Sequence, residues 1–261
     1  MSSPLIDVAE LRDLHAFQTV QVVDCRFRLG QHGAGLELYR EGHIPGAHFL
    51  DLDDDLSGPV REDRLGGRHP LPERAAFAAS LIAAGLRGDT PIVLYDDGTG
   101  GAARAWWLLR HHGVESRVLR GGLAAWDEPL IGGDPSRGGG DLVLGAERSD
   151  DLVGADEVQA AIAAGRHVLD ARAPERYRGE VEPMDPVAGH IRGARNAPFN
   201  ALDAITDDVL TASEPPIAYC GSGVTAAALV LRLVEQGRDD AQLYAGSWSD
   251  WCARGLAEVP S

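Results

Sequence analysis

The sequence predicts an α/β fold made of two similar domains, each a mainly parallel sheet flanked by helices. Three observations carry this expectation: the length of the chain, an ordered repeat of short motifs, and helical patterns lying between short apolar runs. At 261 residues the chain exceeds the usual size of one domain and suits two, each large enough to close its own core. The repeat begins with Val22-Val23-Asp24-Cys25-Arg26 and returns as Val168-Leu169-Asp170-Ala171-Arg172, apolar runs that read as buried strands ending in Asp-x-Arg. Gly42-His43-Ile44-Pro45-Gly46-Ala47 is matched by Gly189-His190-Ile191-Arg192-Gly193-Ala194, each a turn into another short strand. Pro91 to Asp96 pairs with Pro216 to Cys220, and Leu119-Arg120-Gly121-Gly122 with Trp126 pairs with Leu243-Tyr244-Ala245-Gly246 with Trp251. The same blocks in the same order imply internal duplication.

Helices are expected over 72–86, 102–112, 155–164 and 224–235, stopped by Gly85, Gly113, Gly165 and Gly237. Strands alternating with helices give a parallel sheet covered on both faces. The Gly/Pro/Ser-rich run 132–140 marks a linker, so the expected boundaries are a first domain over 1–131, a linker over 132–145 and a second domain over 146–261. The stretch from Ala47 to Asp96 is nearly twice as long as that from Ala194 to Cys220. The second domain is therefore expected to lack a helix or a long loop present in the first.

Composition narrows the chemistry. A hydrophobic share of 44% with 25% charged residues is that of an ordinary soluble globular chain. Forty acidic against 24 basic residues leave a formal charge of −16, which argues against phosphate-backbone binding and against anionic membrane surfaces, so neither nucleic acid nor membrane is an expected partner. No lysine is present, which removes amine nucleophiles and Schiff-base chemistry. The three cysteines, Cys25, Cys220 and Cys252, form neither a disulfide framework nor a metal-ligand spacing. Together with the absence of an export signal or a long apolar run, this gives an expected cytoplasmic location and no metal.

The most informative run is Tyr219-Cys220-Gly221-Ser222-Gly223-Val224-Thr225, which puts a cysteine between an apolar strand and a helix. There the loop amides and the helix N-terminus favour a thiolate, and small residues let successive N–H groups turn inward around an anion. A persulfide anion would be held in the same way. The bland alternative is a buried structural cysteine before a tight turn, which the glycines on both sides of Ser222 disfavour.

With these residues in place, the duplicated Asp-x-Arg, Gly-His-Ile and Trp blocks and the Cys220 loop resemble the tandem-domain rhodanese and 3-mercaptopyruvate sulfurtransferase family over nearly the whole chain. The resemblance implies two rhodanese-like domains, of which the second is catalytic. It implies a cofactor-free sulfurtransferase that moves sulfane sulfur from a small anionic donor, through a Cys220 persulfide, to cyanide or a thiol acceptor such as a small thiol or a thioredoxin-like protein. Asp96 stands at the equivalent point of the first domain and cannot carry sulfur. The Gly-Ser-Gly after Cys220 is similar to the mercaptopyruvate subtype, whereas the thiosulfate subtype carries Arg and Lys there. The expected donor is accordingly 3-mercaptopyruvate, with thiosulfate as the alternative. By the same resemblance Ser222 and His43 are catalytic beside Cys220, Arg176 binds the donor carboxylate, and Gly221, Gly223, Val224 and Thr225 line the substrate. Two positions depart from the pattern: Asp185 stands where a second substrate arginine is usual, and His32 where an aspartate would complete a relay. Arg172 reads as structural, and Cys25 and Cys252 as packing residues.

Two other classes share the architecture. Phosphatases with a Cys-x5-Arg loop would need an arginine at position 226, which is Ala226. A pure binding module would have no use for the cysteine and its glycine-rich loop.

Overall fold

The computed structural model describes residues 3–201 and 204–258, and the chain divides into two compact units. The first is Met1–Gly58 with Pro72–Arg148; the second is Pro59–Leu71 with Ser149–Ser261. Residues 59–71 lie inside the first domain of the sequence boundaries yet pack with the second unit. Residues 132–148, expected largely as linker, are bonded along the first unit: Gly133 N–H donates to Arg40 O, Leu142 N–H to Leu86 O and Arg148 N–H to His111 O, and Leu142 is buried.

The first unit runs β1 (Leu5–Ile6), α1 (Val8–Ala16), β2 (Gln21–Asp24), α2 (Ala34–Glu41), β3 (His48–Phe49), α3 (Arg74–Ala83), β4 (Ile92–Tyr95), α4 (Gly101–His111), β5 (Ser116–Leu119) and a 3-10 turn (Gly122–Ala125). Its strands are all parallel in the order β1-β5-β4-β2-β3. The second unit runs α5 (Ala155–Ala163), β6 (Val168–Asp170), α6 (Pro174–Tyr177), β7 (Arg195–Asn196), α7 (Asp207–Leu210), β8 (Ile217–Tyr219), α8 (Val224–Glu235), β9 (Gln242–Leu243) and α9 (Ser247–Ala253). Its order, β7-β6-β8-β9, is the first sheet's order without the β1 edge. The duplication extends to register, since Asp24 pairs with Tyr95 and Asp170 with Tyr219.

Helices α3, α4, α5 and α8 each stop two residues before the expected glycine, and Gly85, Gly113, Gly165 and Gly237 all take positive φ. Helix α8 is apolar nearly all round and buries Leu229, Val230 and Leu233 among its residues, as a helix does when it covers a sheet. Each unit has its own core, Val22, Val93, Tyr95 and Trp126 in one and Val168, Ile217, Tyr219 and Trp251 in the other. The extra length of the first half is accounted for by α3 and residues 59–71; among the described residues between β7 and β8 the only helix is the four-residue α7.

The repeated motifs are one clamp made twice. Arg26 bonds the Asp24 carboxylate at 2.6 and 3.0 Å and donates to Gly42 O at 2.7 Å; Arg172 bonds Asp170 at 2.7 and 3.0 Å and donates to Gly189 O at 2.7 Å. Asp-x-Arg thus ties each strand end to the turn that carries Gly-His-Ile.

Candidate active site

Strand β8 ends at Tyr219 and α8 starts at Val224, so residues 220–223 must reverse the chain tightly and leave Cys220 at the base of the helix. Gly223 makes this possible. It caps α8 at φ 84°, and a Cβ there would lie 2.3 Å from Ala245 O. The Gly223 N–H donates to Cys220 Sγ at 3.1 Å, and the Cys220 N–H donates to Ser247 Oγ at 3.0 Å. From the start of α9, Trp248 N–H and Ser249 N–H donate to the carbonyls of Cys220 and Gly221 at 3.0 Å each. The sulfur is 2% exposed as part of its residue and faces an N–H donor at a helix start, an arrangement that stabilises negative charge on it. Val224 is buried and Thr225 half-buried on the first turn of α8.

Ser222 is buried, and its Oγ lies 2.8 Å from Nδ1 of His69, a residue of the 59–71 segment. Above the loop stand two cations. A Cβ on Gly221 would lie 2.9 Å from Arg68 Nη2 and 3.3 and 3.4 Å from the terminal nitrogens of Arg176, so a side chain there would push the two guanidiniums aside. Arg176 donates to Glu182 at 2.7 Å and stands 3.7 Å from Asp185, while Arg68 is ion-paired with Asp185. Arg172 lies behind them, 3.2 Å from Glu182 and 5.1 Å over the Trp248 ring. Burial opposes the charge of Glu182, but its bond to Arg176 and the N–H groups of Met184 and Asp185 outweigh that and hold its pKa below the usual glutamate value. Among the described residues no cluster of His, Cys, Asp and Glu has the make-up of a metal site.

The rhodanese-like domain family matches residues 7–129 and again 154–254. The chain belongs to this family, with two copies of its domain. It is 44% identical, over 96% of its length and 95% of the relative's, to a Pseudomonas aeruginosa protein named "Probable 3-mercaptopyruvate sulfurtransferase". It is 42% identical, over 95% and 93%, to SseB of Mycobacterium tuberculosis, whose name assigns it provisionally as a thiosulfate sulfurtransferase. Among solved structures, SseA of Escherichia coli, titled as a 3-mercaptopyruvate sulfotransferase, superposes with a TM-score of 0.79 at 32% identity, covering 95% of this chain and all of that one.

Within this rhodanese-family chain, Cys220, Ser222, Arg176, Gly221, Gly223, Val224 and Thr225 come together as one group. His43 is held by its own turn. It belongs to the first unit, where its Nδ1 donates to Tyr39 O at 2.7 Å and its ring stacks on Tyr39 at 3.7 Å. His190 repeats this in the second unit, with Nδ1 2.8 Å from Tyr177 O and the ring stacked at 3.9 Å. Both histidines lock their turns, and within the second unit the histidine bonded to Ser222 is His69. The signal for His69 was available: it sits in the part of the first half that has no counterpart in the second. The loop is also less neutral than Gly-Ser-Gly implied, because Arg68 and Arg176 supply beside it the charge that the loop lacks.

The first unit shows what the same turn does without a thiol. Asp96 accepts the N–H groups of Gly98, Gly100 and Ala102 at 2.8, 2.9 and 3.0 Å, so its carboxylate fills the nest that a bound anion would occupy. Burial pushes its pKa up, against the pull of those three donors.

Proposed function

We propose that this sulfurtransferase takes sulfur from 3-mercaptopyruvate, holds it as a persulfide on Cys220 and passes it to a thiol. The observation that carries the reading is Cys220 Sγ on a backbone N–H in a turn overhung by two guanidiniums. The Cys220 thiolate attacks the donor sulfur, an S–S bond forms, and the C–S bond breaks with its electron pair going to pyruvate enolate, which then takes a proton. Arg176 anchors the donor carboxylate. Ser222, held by His69, is the hydroxyl placed to stabilise or protonate the leaving enolate. A thiolate acceptor then attacks the outer sulfur, leaving as its own persulfide and returning Cys220 as thiolate. No cofactor takes part in these steps.

The acceptor is a small thiol or a thioredoxin-like protein, and the setting a reducing cytoplasm. All three cysteines are free, and no described helix is long and apolar enough to cross a membrane. The test is intact mass after incubation with mercaptopyruvate: the protein should gain one sulfur, lost again on adding a thiol reductant. An unchanged mass would refute sulfur loading. Donor choice is read separately, as kcat/KM for mercaptopyruvate and thiosulfate with one common acceptor. A wild-type preference for thiosulfate would overturn the donor while leaving Cys220 as carrier.

A further inference from the structure

Ser247 opens α9 with a backbone that suits glycine better than serine. It is fully buried and has φ 56°, in the left-handed region that a residue with a Cβ rarely adopts. The first unit contains the same position. Trp248 N–H donates to Cys220 O as Leu123 N–H donates to Asp96 O, at 3.0 and 2.7 Å, so Ser247 corresponds to Gly122. The strand register agrees, since Ala218 pairs with Leu243 and Leu94 with Val118, which sets the structural match one residue along from that of the sequence blocks. Gly122 has φ 59°, and a Cβ on it would lie 2.4 Å from Asp96 O. The copy without a thiol thus uses glycine where the copy with the thiol keeps a side chain at almost the same φ.

A side chain held against its backbone preference beside a reactive residue points to a task for that side chain. Ser247 Oγ accepts the Cys220 N–H at 3.0 Å, donates to Tyr244 O at 2.9 Å and lies 3.9 Å from Cys220 Sγ. With Trp248 N–H on the Cys220 carbonyl, the start of α9 grips the reactive residue by both its N–H and its C=O. In the first unit Leu123 N–H repeats the hold on the carbonyl, and Gly122 has no hydroxyl to repeat the other. Where Sγ lies follows from where this backbone is held, and it lies 3.1 Å from the Gly223 N–H that stabilises its charge.

We propose that Ser247 is a positioning residue for the sulfur, its hydroxyl fixing the Cys220 amide and so keeping Sγ on the Gly223 N–H. The strained backbone at 247, which the first unit avoids, is what places that hydroxyl. The hydroxyl acts through Cys220 rather than on the donor. The assignment rests on the proposed function only for Cys220 as the carrier.

The test separates the hydroxyl from the strain. Ser247→Ala removes the hydroxyl and keeps the Cβ, whereas Ser247→Gly removes both, so the glycine variant should unfold at a higher urea concentration than the alanine variant. Both should lose the activation of the sulfur alike. The midpoint of the pH profile for iodoacetamide alkylation of Cys220 should rise by about one unit in each, and kcat with mercaptopyruvate should fall roughly tenfold with KM little changed. The charged groups around the loop are Arg68 and His69 of residues 59–71, Arg176 on α6, Asp185 paired with Arg68, and Asp250 on α9. Neither substitution alters them, so the shift reports the bonding of the sulfur itself. A glycine variant that titrates and turns over as wild type overturns the proposal, and so does one less stable than the alanine variant. If the alanine variant does not fold, the pH midpoint and kcat of the glycine variant decide alone. Alkylation needs no sulfur donor, so a raised midpoint alongside a wild type that gains no sulfur from mercaptopyruvate would uphold the positioning and sink the carrier reading.

Discussion

Burial drives the thiols of the two other cysteines up in pKa, Cys252 to about 11 and Cys25 well above its ordinary value, where nearby Asp24 and Asp96 push further. Neither has an appreciable thiolate fraction at neutral pH, whereas Cys220 Sγ already accepts an N–H. Iodoacetamide at pH 7 should therefore label Cys220 alone, and peptide mapping should show Cys252 only as the pH nears 11. Cys220→Ser should show no turnover and gain no sulfur. Sulfur found on Cys25 or Cys252 would remove the carrier assignment. Arg176→Ala on a folded protein should lower kcat/KM for mercaptopyruvate roughly 10 to 150-fold, by loss of a charge-assisted contact. Unchanged kinetics would take Arg176 out of donor binding.

At the scale of the element, the two loop glycines are glycine for different reasons, and their substitutions should separate. A methyl at 223 meets the Ala245 carbonyl, part of the backbone, at a positive φ; a methyl at 221 meets only the ends of two arginine side chains. Gly223→Ala should cost about 1–3 kcal/mol in denaturant unfolding and withdraw the N–H from the sulfur. Gly221→Ala should unfold close to wild type yet turn over more slowly, because Arg68 and Arg176 must move aside. Equal effects of both on stability would show that the guanidiniums do not hold that space. The clamp behind the loop can be weighed in the same way. Asp24→Ala strands the buried Arg26 guanidinium and should cost about 3–5 kcal/mol, whereas Asp170→Ala leaves Arg172 its contact with Glu182 and should cost less. Strand ends and stop glycines were legible in the sequence because each is set within a few residues, whereas the clamp's bonds to Gly42 O and Gly189 O span 16 and 17 residues. The short helices α6, α7 and α9 were not, since four to seven residues are too few for a periodic pattern.

For the whole molecule, legibility ended at contacts between residues far apart along the chain. His69 with Ser222 and Arg68 with Asp185 are each more than a hundred residues apart, and neither pair leaves a mark in either local stretch. The resemblance pointed to His43, whose Gly-His-Ile turn recurs in both halves as a structural part, while the histidine bonded to Ser222 lies in the unmatched insert. The carboxylates gathered around the site arginines also tie stability to pH. The pKa of Glu182 is depressed in the folded protein, so the stability it contributes is present above its ordinary value of 4.5 and is lost as the pH falls through the depressed value. Glu182→Gln keeps the shape and removes the charge between Arg172 and Arg176. At pH 7 it should be less stable than wild type by about 2–3 kcal/mol. Urea midpoints measured down to pH 3 should then show the two proteins converging below about pH 4.5, because protonation gives the wild type the same neutral side chain. A difference that stays constant from pH 7 to pH 3 would mean that Glu182 acts through packing rather than charge.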